Sequence, residues 1–140
     1  MNKSVLVLCV GNSCRSQIGE AYIRKFAPAG TLVASAGSKP KGVHPYTVEI
    51  MNEKGIDLSH NTSKHVDDFA DAKFDFVLTV CEDDAEACPY FPASVKNIHH
   101  GFDDPDKATG TEEEVLDAFR KVRDEIKDFS KDFVIQYLKE

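Results

Sequence analysis

Ser4 to Cys9 is an almost unbroken apolar run, the pattern of a strand buried on both faces of a parallel sheet. From Ser16 to Phe26 the period changes, and Ile18, Ala21, Tyr22 and Phe26 form one helical stripe. Leu32 to Ser35 reads as a short strand. His44-Pro45 opens a second helix, with proline where its missing N–H does no harm, and Gly55 closes it. Phe76 to Val80 and Val95 to His99 read as two more strands. Thr111-Glu112-Glu113-Glu114 has the form of a capping box and starts a helix expected to run to about Tyr137. Its apolar residues Val115, Phe119, Val122, Ile126, Phe129 and Phe133 alternate in steps of four and three. A coiled-coil strand shares that spacing, but the segment covers only about four heptads and lacks clear charge pairing. A helix packed on its own sheet is expected.

Strands alternating with helices imply an α/β fold with a parallel sheet and right-handed crossovers. Ligands of such sheets bind beyond the carboxyl ends of the strands. Cys9 ends the first strand, Ser35 the second, and Cys81 follows the third, while Asp104 lies a few residues past the fourth. The topology therefore gathers these residues at one edge.

The 140 residues suit one domain spanning 1–140, with 41% hydrophobic and 29% charged residues and no internal repeat or linker. No apolar run approaches the roughly 20 residues needed to span a bilayer. The N-terminal apolar run is too short for a signal peptide, and Gly-Asn-Ser-Cys-Arg does not resemble a cleavage site. A cytoplasmic location is expected. A net charge of −7 argues against a nucleic-acid partner and gives no general pull on an anion. Four cysteines at 9, 14, 81 and 88 lack zinc-type spacing, and a reducing compartment makes a structural disulfide scaffold improbable. Reactive roles move forward.

Cys9-Val10-Gly11-Asn12-Ser13-Cys14-Arg15-Ser16 has the form C-x5-R-S between a strand and a helix. Successive backbone N–H groups of such a loop form a concave nest, and the helix N-terminus adds partial positive charge. Together they suit a tetrahedral dianion. Arg15 offers two parallel donors to its oxygens, and Gly11 permits close backbone approach. The same field favours the thiolate of Cys9 as nucleophile, with Ser16 the hydroxyl expected to donate to its sulfur. C-x5-R alone is a common spacing, so its place between strand and helix carries the argument. Cys14 is expected to shape the loop rather than react.

This loop resembles the phosphate loop of the low-molecular-weight tyrosine phosphatase fold. Ser35-Ala36-Gly37, Val43-His44-Pro45 and Gly55-Ile56-Asp57 are similar to further landmarks of that fold. The likeness covers nearly the whole chain and implies a four-stranded parallel sheet flanked by helices. Two activities share the fold, phosphate-ester hydrolysis and arsenate reduction, and the loop does not separate them because the two anions are nearly isosteric. Thr79-Val-Cys81 and, after six intervening residues, Cys88-Pro89, followed by Gly101-Phe-Asp-Asp-Pro, resemble the thioredoxin-coupled arsenate reductases.

The resemblance implies a cascade that needs no cofactor. Cys9 attacks arsenate, Cys81 attacks the Cys9 sulfur and releases arsenite, and Cys88 then resolves Cys9–Cys81 into Cys81–Cys88. Thioredoxin reduces the last disulfide by exchange, and a monomer suffices. A regular helix over Glu82 to Ala87 would hold positions 81 and 88 about 10 Å apart, whereas a disulfide needs Cα atoms within about 7 Å. The segment is therefore expected to unwind on oxidation.

Asp104-Pro105 resembles the general acid of the family, with Asp103 as its rival. Some relatives hold potassium near the loop. Asn12, Glu20 and Ser35 match that ligand set, but Lys64 stands where the family has an aspartate. The expectation is that the Lys64 ammonium occupies or neutralises the cation site. His99-His100 is not a metal pair, because neighbours on a strand point to opposite faces. The competing readings are a tyrosine phosphatase and a non-catalytic thiol module that binds arsenite or senses oxidants.

Overall fold

The computed structural model describes residues 2–82 and 88–139. Four strands, β1 (Ser4–Cys9), β2 (Leu32–Gly37), β3 (Phe76–Thr79) and β4 (Lys96–His99), form one sheet in the order β2-β1-β3-β4. Every pairing is parallel. Helix α1 (Arg15–Phe26) lies between β1 and β2, α2 (Pro45–Asn52) between β2 and β3, and α3 (Glu112–Phe133) follows β4.

Strand alternation sorts the side chains of β1. Val5, Val7 and Cys9 join a core with Ile18, Tyr22 and Ile23 of α1 and Phe119, Val122 and Ile126 of α3. Leu6 and Leu8 point into a second cluster with Val77, Phe74 and Phe91. Both faces of β1 are thus dry, which explains its continuous apolar run. α3 lies on its own domain as its stripe indicates, and the Thr111–Glu114 capping box forms in both directions.

Observed boundaries shift modestly from those expected. β2 runs on to Gly37, because Ala36 and Gly37 pair with Leu8 and Cys9 of β1. α3 ends at Phe133 and continues as a π-helical turn, Val134–Leu138. α2 starts at Pro45 with the His44 ring nitrogen capping the N–H of Tyr46, and Gly55 takes a φ of +76° after the helix. Two 3-10 turns, Val66–Phe69 and Pro105–Lys107, escape the periodicity. Among the described residues no helix is long and apolar enough to cross a membrane.

The register places the site. Cys9 pairs with Gly37, Leu8 with Thr79, and Thr79 with His99, so the strands' carboxyl ends share one edge.

Candidate active site

Residues 10–14 connect the end of β1 to α1. Nearly all of the loop is buried: Cys9 is 2% exposed, Arg15 4%, and Asn12 and Ser16 fully enclosed. Every carbonyl from Val10 to Cys14 is engaged. Val10, Gly11 and Ser13 accept the N–H groups of Lys39, Lys41 and His44, and Cys14 accepts that of Ile18. Asn12 O accepts the Ser63 hydroxyl at 2.6 Å. With its carbonyls held outward, the loop has the N–H groups of Gly11, Ser13 and Cys14 without an acceptor among the described residues, as an anion nest requires. The first turn of α1 carries no acidic residue, so its positive end adds to the field.

Asn12 is the hub. It is the one described non-glycine residue with positive φ, +47°, a region asparagine tolerates better than most. Its Nδ2 donates to Ser16 Oγ at 2.7 Å and Ser35 Oγ at 2.9 Å. Its Oδ1 accepts the Lys64 backbone N–H at 2.9 Å and Gln17 Nε2 at 3.1 Å. Because Ser16 Oγ accepts from Asn12, its own proton is available to Cys9 Sγ, 2.8 Å away. The Asn12 N–H also faces that sulfur at 3.3 Å. Ser16 thus has the geometry expected of it. Ser35 is set the same way, accepting from Asn12 and donating to Glu20 Oε1 at 2.6 Å.

A cavity of about 220 Å³ opens above the loop, lined by Cys9, Val10, Gly11, Ser13, Cys14, Arg15, Lys39, Lys41, Asp104 and Asp106. Arg15 Nη2 lies 3.6 Å from Asp104 Oδ2, and its Nη1 donates to Phe102 O at 3.3 Å. Asp103 is exposed and lines a different hollow with His100 and Phe129. Of the two aspartates, Asp104 faces the anion pocket.

Cys14 is buried, and burial pushes its thiol up to about 12. A thiol so held is neutral at ordinary pH, which fits a packing role. Cys81 and Cys88 form a disulfide with Cα atoms 5.8 Å apart. Residues 83–87, where unwinding is expected, lie outside the described residues. Cys81 is fully buried with its sulfur 4.0 Å from Leu8 O, one residue from Cys9, whereas Cys88 is half-buried.

The Lys64 ammonium donates to Thr62 O at 3.1 Å, and the Lys64 backbone N–H donates to Asn12 Oδ1 at 2.9 Å. The cationic partner of Glu20 is Arg24, one helical turn on, whose Nη2 donates to Glu20 Oε2 and to Val33 O, both at 2.6 Å. An i,i+4 Glu–Arg pair is readable on a helix, but the missing aspartate drew attention to Lys64 instead. His99 bonds Thr79 and His100 packs on Phe102 and Phe129, and no metal cluster occurs among the described residues. Reasoning from sequence also missed Lys39, Lys41 and Asp106. Their one local signal was a pair of lysines flanking Pro40 just after β2.

The profile of the low molecular weight phosphotyrosine protein phosphatase family matches residues 4–140. An arsenate reductase of Halalkalibacterium halodurans is 47% identical over 127 residues, covering 90% of this chain and 91% of that one. A solved arsenate reductase in its phosphate-binding state superposes with a TM-score of 0.80 at 27% identity, covering 98% and 99%. A thioredoxin-dependent arsenate reductase of Corynebacterium glutamicum superposes with a TM-score of 0.69 at 26% identity, covering 96% of this chain and 60% of that one. With an anion nest around the Cys9 thiol and a Cys81–Cys88 disulfide just past the neighbouring strand, the chain belongs to the low molecular weight phosphotyrosine protein phosphatase family, among its arsenate reductases.

Proposed function

We propose that this protein reduces arsenate to arsenite with thiol electrons. The observation that carries the reading is the Cys81–Cys88 disulfide just past the end of β3, the strand next to the one that ends in Cys9, since a hydrolase needs no such pair. The Cys9 thiolate attacks arsenic while Arg15 and the loop N–H groups hold the oxygens. Asp104 protonates the oxygen that leaves as water. The Cys81 thiolate then attacks the Cys9 sulfur. The arsenic–sulfur bond breaks with its electron pair on arsenic, As(V) becomes As(III), and arsenite leaves. Cys88 attacks Cys81 and frees Cys9 as thiolate.

The oxidation ends on Cys81–Cys88, which an external dithiol reduces by exchange. Thioredoxin is the proposed donor, supported by the thioredoxin-dependent neighbour, and the reducing cytoplasm is the proposed setting. Reduced thioredoxin should be oxidised only when arsenate is present, and Cys81→Ser should abolish that oxidation. Aryl phosphate hydrolysis unaffected by Cys81→Ser, without arsenate-dependent thiol loss, would return the protein to the phosphatases.

A further inference from the structure

Residues 38–44 lie across the mouth of the anion pocket. The segment is fastened to the loop by Lys39 N to Val10 O at 2.9 Å, Lys41 N to Gly11 O at 3.1 Å and His44 N to Ser13 O at 3.1 Å. The Lys41 side chain runs over Gly11 so closely that a Cβ there would meet Lys41 Cε at 2.8 Å. Its ammonium ends 2.8 Å from Asp106 Oδ2, and the other carboxylate oxygen lies 3.2 Å from His44 Nε2. Both anchors are placed by neighbouring structure. His44 caps α2 and packs on Phe119 with ring centroids 4.8 Å apart. Asp106 sits in the turn that Asp104 caps through the Asp106 backbone N–H at 3.0 Å.

We propose that the Lys41–Asp106 bridge is a size filter on the anion pocket, admitting a free tetrahedral oxyanion and disfavouring esters that carry an aryl group. It rests on the anion-pocket part of the function proposed above and assigns that pocket's substrate class. The cavity of about 220 Å³ is smaller than the roughly 300–1,000 Å³ of pockets that enclose drug-sized organic ligands. An aryl group attached to a bound phosphoryl group has to leave through the mouth, where the bridge stands. Each partner reinforces the other's charge: the hydrogen bond to Asp106 raises the Lys41 pKa, and the hydrogen bond to Lys41 lowers that of Asp106. Their side chains are 51% and 37% exposed, and exposed pairs are worth at most about 1 kcal/mol. The filter is therefore soft, a factor of about five in relative affinity.

Calorimetry with inorganic phosphate and benzylphosphonate tests this on wild type, Lys41→Ala, Asp106→Ala and the bridge-retaining Lys41→Arg. The ratio of the benzylphosphonate to the phosphate dissociation constant should fall about five-fold in both alanine variants. One variant removes a positive charge and the other a negative one, so charge alone moves absolute affinities in opposite directions and leaves no common change in the ratio. Lys41→Arg should keep the wild-type ratio. An unchanged ratio, or one that moves oppositely in the two alanine variants, overturns the filter. Wild-type protein that binds neither anion overturns the filter and the anion pocket together. A common fall in the ratio without arsenate turnover leaves the filter standing and removes only the redox reading.

Discussion

Ser16 Oγ lies 2.8 Å from Cys9 Sγ while accepting a hydrogen bond from Asn12 Nδ2 at 2.7 Å. The second contact orients the first. A hydrogen bond to a charged group contributes about 1.5–3 kcal/mol, so Ser16→Ala should slow the attack of Cys9 by roughly 10- to 100-fold. Alkylation of Cys9 by iodoacetamide at fixed pH reads this without any substrate. Asn12→Ala should lose at least as much, because it also releases Ser35 and the Lys64 N–H. Wild-type alkylation rates in Ser16→Ala would remove the serine from the mechanism.

Glu82 ties the acid loop to the segment after β3 that carries Cys81. Its Oε1 accepts the Asp104 N–H at 3.1 Å, and Phe102 N donates to Val80 O at 3.2 Å. Glu82→Ala should lower kcat for arsenate several-fold, whereas Glu82→Gln, which keeps the acceptor, should stay near wild type. In an Asp104→Asn background, Glu82→Ala should add nothing further, the non-additivity expected of residues in one network. Fully additive losses would show that Glu82 acts elsewhere.

The neutral Cys14 thiol makes stability depend on alkaline pH. Its folded-state value is about 12, above the unfolded value of about 8.5, so the native state binds the extra proton. The contribution is complete below about pH 8.5 and is lost as pH rises through the folded value, at up to about 1.4 kcal/mol per pH unit. Urea midpoints between pH 8 and 10.5 should fall faster in wild type than in Cys14→Ala. Parallel profiles would contradict the assignment.

Glu20 is already paired with Arg24. Potassium chloride should therefore stabilise the protein no more than sodium chloride at equal ionic strength, as read by thermal melting. Arg24→Ala should lower Tm in both salts, because Glu20, whose side chain is 8% exposed, loses its cation. A potassium-specific rise in the wild-type Tm would contradict this pairing.

The elements legible in the sequence were those whose side chains report a local environment. β1 has both faces in apolar cores, so its run of apolar residues gave both of its ends correctly. The loop from Cys9 to Ser16 was legible for a related reason: nucleophile, donor hydroxyl and arginine lie within one short stretch of chain. What escaped was set by partners distant in sequence. Lys41 and Asp106 meet across 65 positions, and Glu82 and Asp104 across 22. Asn12 was legible as a loop residue and its grouping with Ser35 was expected, but its contact with the Lys64 backbone, 52 positions away, was not. Gly37 was missed as the end of β2 because its fitness there is negative, a Cβ striking the Val10 carbonyl.

Cys81 has no exposed surface, whereas its disulfide partner Cys88 is half-buried. In the proposed cascade this difference gives the electron path a direction. An outside thiol meets Cys88 first and forms the mixed disulfide there, with Cys81 as the departing sulfur. The earlier Cys9–Cys81 bond is shielded, so small thiols in the surroundings should not reduce it before Cys88 has resolved it. The enclosure of one sulfur atom thus works as a ratchet, committing each turnover before the protein becomes reducible from outside.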